Sequence, residues 1–401
     1  MLIAGRLFHP DREREPLRLG WLRLEGPRIV SVQAGEPPSA PDLGDDECVI
    51  FPGFIDAHVH LPQFDSIGVG GLELLDWLEQ VIFPAEARWA DPGYAGEMAE
   101  RVTFELISFG TTGFAAYGSV HSEGVREALR RVADCGVRAC FGPSLMDRNA
   151  PAELCPPADD QIAALASMSP AGRVCPAVTP RFAISCSPAL LQAAGEVARA
   201  KGWPIQTHLS ETRAELALIA ELFDGRPYAQ VYDDFGLLTP RTILGHGIWL
   251  SEEERSLLAA RRSVVAHCPT ANRFLDAGLM QRAALKGAGV RLALGSDVAG
   301  GPDRSMVRVA RAMIETAIAR GDRPPTPSDA FRQITLGNAE ALGWPQCGRL
   351  APGCEADLLV VRPRVDFESH PDPLGAMLYG WDERWIEQTI VAGVVGYDAR
   401  W

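Results

Sequence analysis

Two histidines separated by one residue, His58 and His60, end an apolar run that begins near Phe51. If this run is a strand, both side chains point to the same face, because side chains alternate along a strand. Two imidazoles in that arrangement can bind one metal ion. Further residues of metal-ligating type also end apolar runs, namely His208, His246 and Asp297. Nitrogen and oxygen ligands of this kind hold catalytic zinc with one position open for water, so the set predicts a catalytic metal site.

Two carboxylates, Asp297 of this set and the nearby Glu211, suggest proton transfer. A metal ion at this site would lower the pKa of its bound water to about 7 and so provide hydroxide at neutral pH. Asp297 is a candidate to accept the proton of that water, and Glu211, three residues after His208, is a candidate proton shuttle to the substrate. The alternative for Glu211 is a capping role at the start of the helix that follows it.

The sequence favours a single metal ion, zinc or iron. Barrels that bridge two metals often do so with a carboxylated lysine on the fourth strand. The chain has two lysines, Lys201 and Lys286, and both lie in helix-like segments. A lysine-bridged binuclear site is therefore excluded.

Eight apolar, strand-like runs alternate with helix-like segments between residues 49 and 345. The runs are VIFPGFIDAHVH, GTTGFAAYGSV, VRACFGPSL, RVCPAVTPRFAIS, WPIQTHLS, RTILGHG, SVVAHCP and VRLALGSD. Near-continuous apolar strands indicate a parallel sheet that is buried on both faces. Eight strand–helix repeats over about 250 residues predict a TIM-like (β/α)₈ barrel, in which active sites lie at the carboxyl ends of the strands. An open doubly wound sheet is the alternative, but no glycine-rich phosphate loop follows the first strand.

The two ends of the chain differ from this middle part. Residues 1–48 and 346–401 alternate apolar and polar side chains without a helical period. We therefore expect three segments: a (β/α)₈ barrel over 49–345, and a small β-sandwich domain to which 1–48 and 346–401 both contribute.

Composition narrows the class of partner and the cellular location. The formal net charge of -14 argues against nucleic acid and anionic membranes as partners. A membrane span needs an apolar run of about 18 residues or more, and the sequence has no run of that length. The nine cysteines show neither CxxC pairs nor regular spacing, and the N-terminus has no leader pattern, so reduced thiols and a cytoplasmic location are expected.

The motifs PGFIDAHVH, THLSE, GHG and GSD resemble those of the amidohydrolase superfamily. The segments 60–64 (HLPQF), 74–86 (LLDWLEQVIFPAE), 179–186 (TPRFAISC) and 297–301 (DVAGG) are similar to the guanine deaminases within it. This resemblance covers most of the chain. It implies a zinc enzyme, with one zinc ion per chain and iron as the alternative metal, that acts as a homodimer on guanine. Metal-bound hydroxide would attack C2, and the products would be xanthine and ammonia.

The resemblance also implies roles for individual residues. The metal would be surrounded by His58, His60, His208, His246 and Asp297. The catalytic residues would be Glu211, which protonates N3, together with Asp297 and His246. Substrate would be bound by Gln63, Arg181, Phe182 and Glu211, with Gln63 and Arg181 at the lactam edge of the purine. A fixed guanidinium is a good donor to a carbonyl, although Arg181 could instead form a salt bridge on the barrel rim.

Several neighbouring residues have less defined expectations. His267 should buttress the barrel mouth or order the following loop rather than bind metal, and His121, after the second strand, has no assigned role. Trp77 and Phe83 either cover the site or belong to the core. Cys186 and Cys268 are expected to be buried packing residues.

Two other functions remain open from the sequence. The same mononuclear site could hydrolyse another amino-heterocycle, such as 8-oxoguanine, another aminopurine or a triazine. A metal-free binding or scaffolding protein on the same barrel is the second alternative, but such a protein would be expected to lack some of the ligands.

Overall fold

The computed structural model describes residues 1–12 and 14–400 of the chain. Its strands are Leu2–Phe8, Leu17–Glu25, Arg28–Ala34, Val49–Pro52, Phe54–His60, Thr111–Tyr117, Arg138–Gly142, Ser144–Leu145, Val174–Pro176, Thr179–Pro180, Ile205–Leu209, Thr242–His246, Val264–His267, Arg291–Leu294, Leu358–Val361, Ile386–Val391 and Val394–Asp398.

The α-helices are Leu74–Trp77, Phe83–Ala87, Pro92–Ser108, Ser122–Asp134, Ala158–Ala166, Pro188–Lys201, Arg213–Leu222, Tyr228–Asp234, Glu252–Arg261, Pro269–Phe274, Arg282–Gly287, Met306–Ala319, Pro327–Arg332, Asn338–Leu342 and Pro373–Gly380. Two segments widen into π-helix, Leu78–Ile82 and Gln333–Gly337. Short 3₁₀ turns are Leu61–Ser66, Arg88–Ala90, Ala152–Leu154, Ala183–Ser185 and Glu383–Trp385.

Eight parallel strands form the predicted barrel in two sets of four. The first set is Phe54–His60, Thr111–Tyr117, Arg138–Gly142 and Val174–Pro176. The second set is Ile205–Leu209, Thr242–His246, Val264–His267 and Arg291–Leu294. A parallel bridge from Val178 to Ile205 joins the two sets. Most strand residues are buried, which explains why the sequence shows near-continuous apolar runs.

The barrel closes between its first strand and the segment after its last strand. The amide of Asp297 donates to the carbonyl of His58 at 2.8 Å, and the amide of His60 donates to the carbonyl of Val298 at 3.0 Å. The side chain of Asn338, which is fully buried, adds bonds across the same seam. Its amide nitrogen donates to the carbonyls of Ile55 at 2.6 Å and Leu294 at 2.8 Å.

The helix Pro188–Lys201 begins and ends at residue types that favour these positions. The hydroxyl of Ser187 accepts a hydrogen bond from the amide of Leu190, which satisfies one free donor of the first turn. Gly202 ends the helix in a left-handed conformation with φ +64°, which glycine adopts without steric cost.

Both ends of the chain contribute to one seven-stranded sheet. Its strand order is Val394–Asp398, Ile386–Val391, Leu358–Val361, Val49–Pro52, Leu2–Phe8, Leu17–Glu25 and Arg28–Ala34. The expected β-sandwich is thus a single hydrogen-bonded sheet. The strand Val49–Pro52 belongs to this sheet and pairs with strands from both termini. Its side chains alternate between two apolar clusters, and the cluster on one face includes the helix Met306–Ala319. Helices thus bury the face that a second sheet would bury in a sandwich.

A group of charged side chains ties the sheet to the barrel. Arg138 and Arg173, on the barrel, bind Glu355 and Asp357, which precede the strand Leu358–Val361. Nε of Arg138 donates to Glu355 at 2.8 Å, and Nη1 of Arg173 donates to Asp357 at 2.9 Å. The two guanidinium groups balance the two carboxylates in a largely buried setting.

Among residues 1–12 and 14–400, no helix combines the length and the apolar character needed to cross a bilayer.

The Asn338 side chain provides a test of barrel closure. We expect Asn338→Leu to lower the free energy of unfolding by about 3 kcal/mol, because buried carbonyl and amide groups of two strands lose their partners. Chemical denaturation of the metal-loaded protein measures the change. Gln192→Leu, on an exposed helix surface, is the control and should stay within about 0.5 kcal/mol of the unsubstituted protein. Equal effects of the two substitutions would contradict the proposed role.

Candidate active site

Four buried side chains of metal-ligating type converge at the carboxyl ends of the barrel strands. They are His58, His60, His208 and Asp297, whose ligand atoms all lie within 4.8 Å of one another. Nε2 of His58 is 3.2 Å from Oδ1 of Asp297, and Nε2 of His60 is 3.4 Å from the same oxygen. The Nε2 atoms of His60 and His208 are 3.1 Å apart. Residues far apart in sequence thus meet at one point, as the barrel topology predicted.

His246 lies beside this group of four rather than within it. Its Nε2 is 3.8 Å from Oδ2 of Asp297 and 3.5 Å from Oε2 of Glu211. The structure therefore brings all five predicted ligands and Glu211 into one site, with His246 between the two carboxylates. Direct ligation by His246 stays a prediction.

Hydrogen bonds orient the histidines from behind. Nδ1 of His208 lies 2.6 Å from the carbonyl oxygen of Arg181, so it carries the proton and leaves the Nε2 lone pair toward the site. Nδ1 of His246 likewise donates to Oδ1 of Asn272 at 2.8 Å. Such partners set the tautomer and ring orientation of metal-binding histidines.

The strand that carries His58 is fixed by another buried acid. Oδ1 of Asp56 accepts hydrogen bonds from the amides of His58 at 3.1 Å and Ser296 at 3.0 Å. The hydroxyl of Ser296 binds the other oxygen of Asp56. Burial raises the pKa of Asp56 to about 6, while the bonds from Ser296 oppose that rise. Asp56 therefore fixes the position of Asp297 relative to His58 through the backbone.

The donor set fits a divalent metal ion. Neither ring nitrogen of His58 has a hydrogen-bond partner among the described residues, although both are fully buried. Buried polar atoms are normally satisfied, so these atoms indicate a missing positive partner. Three imidazoles and one carboxylate with nitrogen and oxygen donors are a ligand set that suits zinc.

The pKa values of the two carboxyl groups at the site, Glu211 and Asp297, shift in opposite directions. Burial raises the pKa of Glu211 well above its ordinary value, and the charge of Asp297 raises it further. Burial also acts to raise the pKa of Asp297, but the adjacent side chains of His58 and His60 hold it well below its ordinary value. Burial lowers the pKa of His60 to about 3 and that of His208 well below its ordinary value. Glu211 is thus the protonated carboxyl, Asp297 is the carboxylate, and the imidazoles of His60 and His208 are neutral.

The helix after Glu211 does not use that residue as its cap. Thr212 is the N-cap, and its hydroxyl accepts from the amide of Glu215 at 3.1 Å. The carboxylate of Glu215 in turn accepts from the amides of Thr212 at 3.3 Å and Glu211 at 2.6 Å. The capping alternative for Glu211 is therefore wrong, and its own carboxyl group faces the site. The Thr-x-x-Glu pattern in the sequence is the signal of a capping box.

The backbone at the site is strained and tightly packed. Ser210, His246 and Asp297 have φ values of +52°, +70° and +51°, a region that side-chain-bearing residues rarely adopt and that is common at functional sites. Gly245 and Gly295 lie against His58. An added Cβ would approach Cε1 of His58 to 2.6 Å from Gly245, and Cβ of His58 to 2.5 Å from Gly295.

A buried carboxylate, Glu86, links the two residues expected at the lactam edge. Nε2 of Gln63 donates to Oε1 of Glu86 at 2.9 Å, and Nη1 of Arg181 binds the same oxygen. Since a carboxylate only accepts hydrogen bonds, Glu86 takes the NH₂ end of Gln63 and leaves the amide oxygen free. The predicted salt bridge of Arg181 exists, but it is buried rather than on the rim, with Arg181 at 3% and Glu86 at 0% exposure.

Glu86 was missed by sequence reasoning, although the segment 74–86 was noted. It lies in a helix, Phe83–Ala87, with no ligand-type neighbour in sequence. The one available signal was a charged residue inside the otherwise apolar end of that segment, VIFPAE. Phe83 also contributes, because the guanidinium of Arg181 lies 5.7 Å from the centre of its ring.

One pocket combines these features. Its polar lining contains both parts of the site, the metal-type side chains and the Gln63–Arg181 pair, and its apolar lining closes it on the remaining sides. The lining residues are His60, Gln63, Leu74, Trp77, Leu78, Arg181, Phe182, His208, Glu211, His246, Leu275 and Asp297. Trp77 therefore contributes to the pocket, whereas Phe83 packs beneath Arg181.

Four other residues lie outside the pocket. His121 lines a separate cavity near Pro143, and His267 lines a cavity on the outer side of the barrel. His267 therefore does not buttress the mouth with its side chain. Cys186 and Cys268 are fully buried, and burial raises the pKa of Cys186 to about 12, so both have the expected packing character.

Comparisons with known proteins agree on the family. Residues 49–396 match the model described as "Amidohydrolase family". The probable guanine deaminase of Schizosaccharomyces pombe is 35% identical over an alignment of 377 positions that covers 86% of this chain and 71% of that protein. The structure of Escherichia coli guanine deaminase matches with a TM-score of 0.93 at 28% identity and covers 99% of both chains. A guanine deaminase from C. acetobutylicum with guanine bound in its active site matches with a TM-score of 0.90 at 27% identity, over 98% of this chain and 99% of that chain.

The four-ligand cluster predicts tight binding of a divalent metal. We expect the purified protein to retain about one metal ion per chain, and Asp297→Asn to weaken metal binding by more than about tenfold, because the only carboxylate of the cluster is lost. Elemental analysis after dialysis against a weak chelator measures the metal content. Asp303→Asn, in the following loop, is the matched control. Full metal content in Asp297→Asn would contradict the assignment.

Proposed function

This chain belongs to the amidohydrolase family, and within that family we propose that it is a guanine deaminase, which hydrolyses guanine to xanthine and ammonia. One observation carries the proposal: the metal-type side chains and the Gln63–Arg181 pair line the same pocket. Its similarity over nearly the full length to guanine deaminases, one with bound guanine, supports the same substrate. No comparable observation favours another aminated heterocycle.

The polar wall of the pocket suits the lactam edge of guanine. Arg181 can donate a hydrogen bond to the purine carbonyl oxygen, and the free amide oxygen of Gln63 can accept one from the adjacent ring N–H. An amino-purine such as adenine presents the opposite pattern at that edge, a ring acceptor beside an NH₂ donor. A site built to hydrogen-bond one pattern rejects the other strongly, because its buried polar groups are then left unpaired. Phe182 lies beside Arg181 and would contact the ring.

The metal is best assigned as one zinc ion, with iron as the alternative. His58, His60, His208 and Asp297 would hold it, with His246 adjacent. When bound, it would act as a Lewis acid that lowers the pKa of water to about 7. The four gathered ligands argue against a metal-free scaffolding role for the chain.

Proton transfer falls to the two carboxyl groups. Glu211, protonated because burial raises its pKa, donates a proton to N3 of guanine while water attacks C2. Asp297, ionised because the histidines lower its pKa, accepts the proton that the water loses. The tetrahedral C2 then expels the amine, which takes that proton from Asp297 and leaves as ammonia. N3 keeps its proton, and the C2 hydroxyl returns a proton to Glu211 as C2 becomes the carbonyl of xanthine. The net change is the addition of one water and the loss of one ammonia.

His246 lies beside both proton-transfer groups. Its Nε2 is within 4 Å of Glu211 and of Asp297, so it can hydrogen-bond to the attacking water between them. A homodimeric assembly and a cytoplasmic location are further predictions, which rest on the resemblance to the family and on the composition of the chain.

An ultraviolet assay of guanine conversion to xanthine tests the proposal. We expect turnover that a chelator abolishes and zinc restores. Glu211→Gln should lower kcat by roughly 10²- to 10⁴-fold, because the proton donor is lost, while metal content stays unchanged. Glu253→Gln, on an exposed helix, is the control. Failure of the metal-loaded protein to turn over guanine, with turnover of cytosine or melamine instead, would contradict the substrate assignment.

Glu86 should act as a positioning residue. We expect Glu86→Gln to raise the KM for guanine about tenfold with a smaller change in kcat, because Arg181 loses a charge-assisted hydrogen bond of about 1.5–3 kcal/mol. Metal content should not change, which separates this effect from damage to the metal site. Glu79→Gln, on the exposed side of the same helical segment, is the matched control. Equal KM values for the two variants would refute the positioning role.

A further inference from the structure

A second cavity lies outside the barrel and shares no lining residue with the pocket described above. Its volume is about 520 Å³, within the range of small-molecule sites. It lies between the helix Arg282–Gly287, the end of the helix Met306–Ala319 and the segment 322–333. We call it the outer cavity.

Two buried polar side chains line the outer cavity without partners. His267 is fully buried, and neither of its ring nitrogens has a hydrogen-bond partner within residues 1–12 and 14–400. Thr316 is 3% exposed, and its hydroxyl likewise has none within the same residues. Buried polar groups without partners are rare and costly. Both side chains line one cavity, so a ligand in that cavity could satisfy them together.

The cationic side chains around the cavity exceed the acids that could neutralise them. Arg282, Lys286 and Arg323 line it. One nitrogen of Arg282 donates to the amide oxygen of Gln333 at 3.3 Å, which is a neutral partner. Burial lowers the pKa of Arg282, as expected for a cation without full compensation. This local positive charge stands against a chain whose formal net charge is -14.

The acids of the same cavity are already engaged. Oδ2 of Asp322 accepts from Nε of Arg320 at 3.1 Å. Oδ2 of Asp329 accepts from the amide of Thr326 at 2.9 Å and from its hydroxyl at 2.8 Å. Both carboxylates have local donors, and Asp329 also raises the pKa of Arg282 and so offsets part of the effect of burial. The cations Arg282, Lys286 and Arg323 still outnumber these two acids, which leaves positive charge available to an anion.

We propose that the outer cavity binds a small organic phosphate. A guanidinium, an ammonium and a threonine hydroxyl are suitable donors for phosphate oxygens. Burial lowers the pKa of His267 to about 3, so its neutral ring offers one donor and one acceptor. The acceptor suits a hydroxyl of the organic part. The volume of the cavity also exceeds that of a phosphate group, since one water accounts for about 30 Å³ of liquid.

Calorimetric titration of the metal-loaded full chain tests the proposal. The probes are inorganic phosphate, ribose 5-phosphate and guanosine monophosphate, each in chloride buffer. We expect one saturable site per chain, with the two organic phosphates bound more tightly than inorganic phosphate, and affinity that falls as salt is added. Tighter binding of the nucleotide than of the sugar phosphate would identify a nucleotide as the source of the phosphate. The absence of binding by all three probes, or preference for inorganic phosphate, would overturn the proposal.

Substitutions locate the bound probe. Arg282→Gln should weaken binding at least about tenfold, because a buried charge-assisted bond is lost, and Thr316→Val should weaken it severalfold. Lys286→Gln, at an exposed position, gives a third variant if either buried substitution prevents folding. Arg130→Gln, an exposed arginine on another helix, is the control for loss of charge.

Arg181→Gln separates the two sites. It belongs to the pocket at the barrel mouth, so it should leave phosphate affinity unchanged. Phosphate affinity that depends on Arg181, or that survives both Arg282→Gln and Lys286→Gln, would overturn the assignment to the outer cavity. The three cavity variants should retain the thermal unfolding temperature within a few degrees and should retain metal content.

Discussion

The structure depends on keeping three imidazoles and a carboxylate together in a buried space. Desolvation opposes charge on each of these groups, so the cluster can exist only with neutral imidazoles whose lone pairs point inward. The carbonyl of Arg181 meets this requirement for His208, and the side chain of Asn272 meets it for His246. Asp56 fixes the backbone between His58 and Ser296. Much of the polar hydrogen bonding at the barrel mouth follows from this one constraint.

The left-handed backbone at His246 and Asp297 belongs to the same constraint. Each residue is at or just beyond the end of its strand and has a positive φ value. The two side chains meet at the site, where Nε2 of His246 is 3.8 Å from Oδ2 of Asp297. Such a conformation costs about 1–3 kcal/mol per residue and persists only where the surrounding packing determines it. The buried strands of the barrel provide that packing.

Much of the barrel and the metal cluster could be predicted from sequence because both follow local patterns. Buried parallel strands appear as apolar runs, and ligands at strand ends meet at one rim whatever their separation in the chain. The ligand role of His246 remains a prediction, since the structure places its Nε2 beside Glu211 and Asp297 and outside the group of four.

The features that the sequence did not predict depend on tertiary contacts, which local patterns do not show. Glu86 acquires its importance only when the helix that bears it covers Arg181. His267 ends a strand as the ligands do, yet its ring lies on the outer side. The terminal strands were predicted to form a sandwich because their apolar and polar side chains alternate, but they form one sheet, and helices cover one of its faces.

The two glycines against His58 limit how the site could be redesigned. A side chain at position 245 would overlap the imidazole of His58, and one at position 295 would overlap its Cβ and backbone. The inner half of the pocket therefore cannot be reshaped one residue at a time. The opposite half is formed by Leu74, Trp77 and Leu78, in a helical segment whose middle turn widens to π-helix. Efforts to broaden the range of heterocycles accepted by directed evolution should therefore diversify these three positions and leave the strand ends untouched.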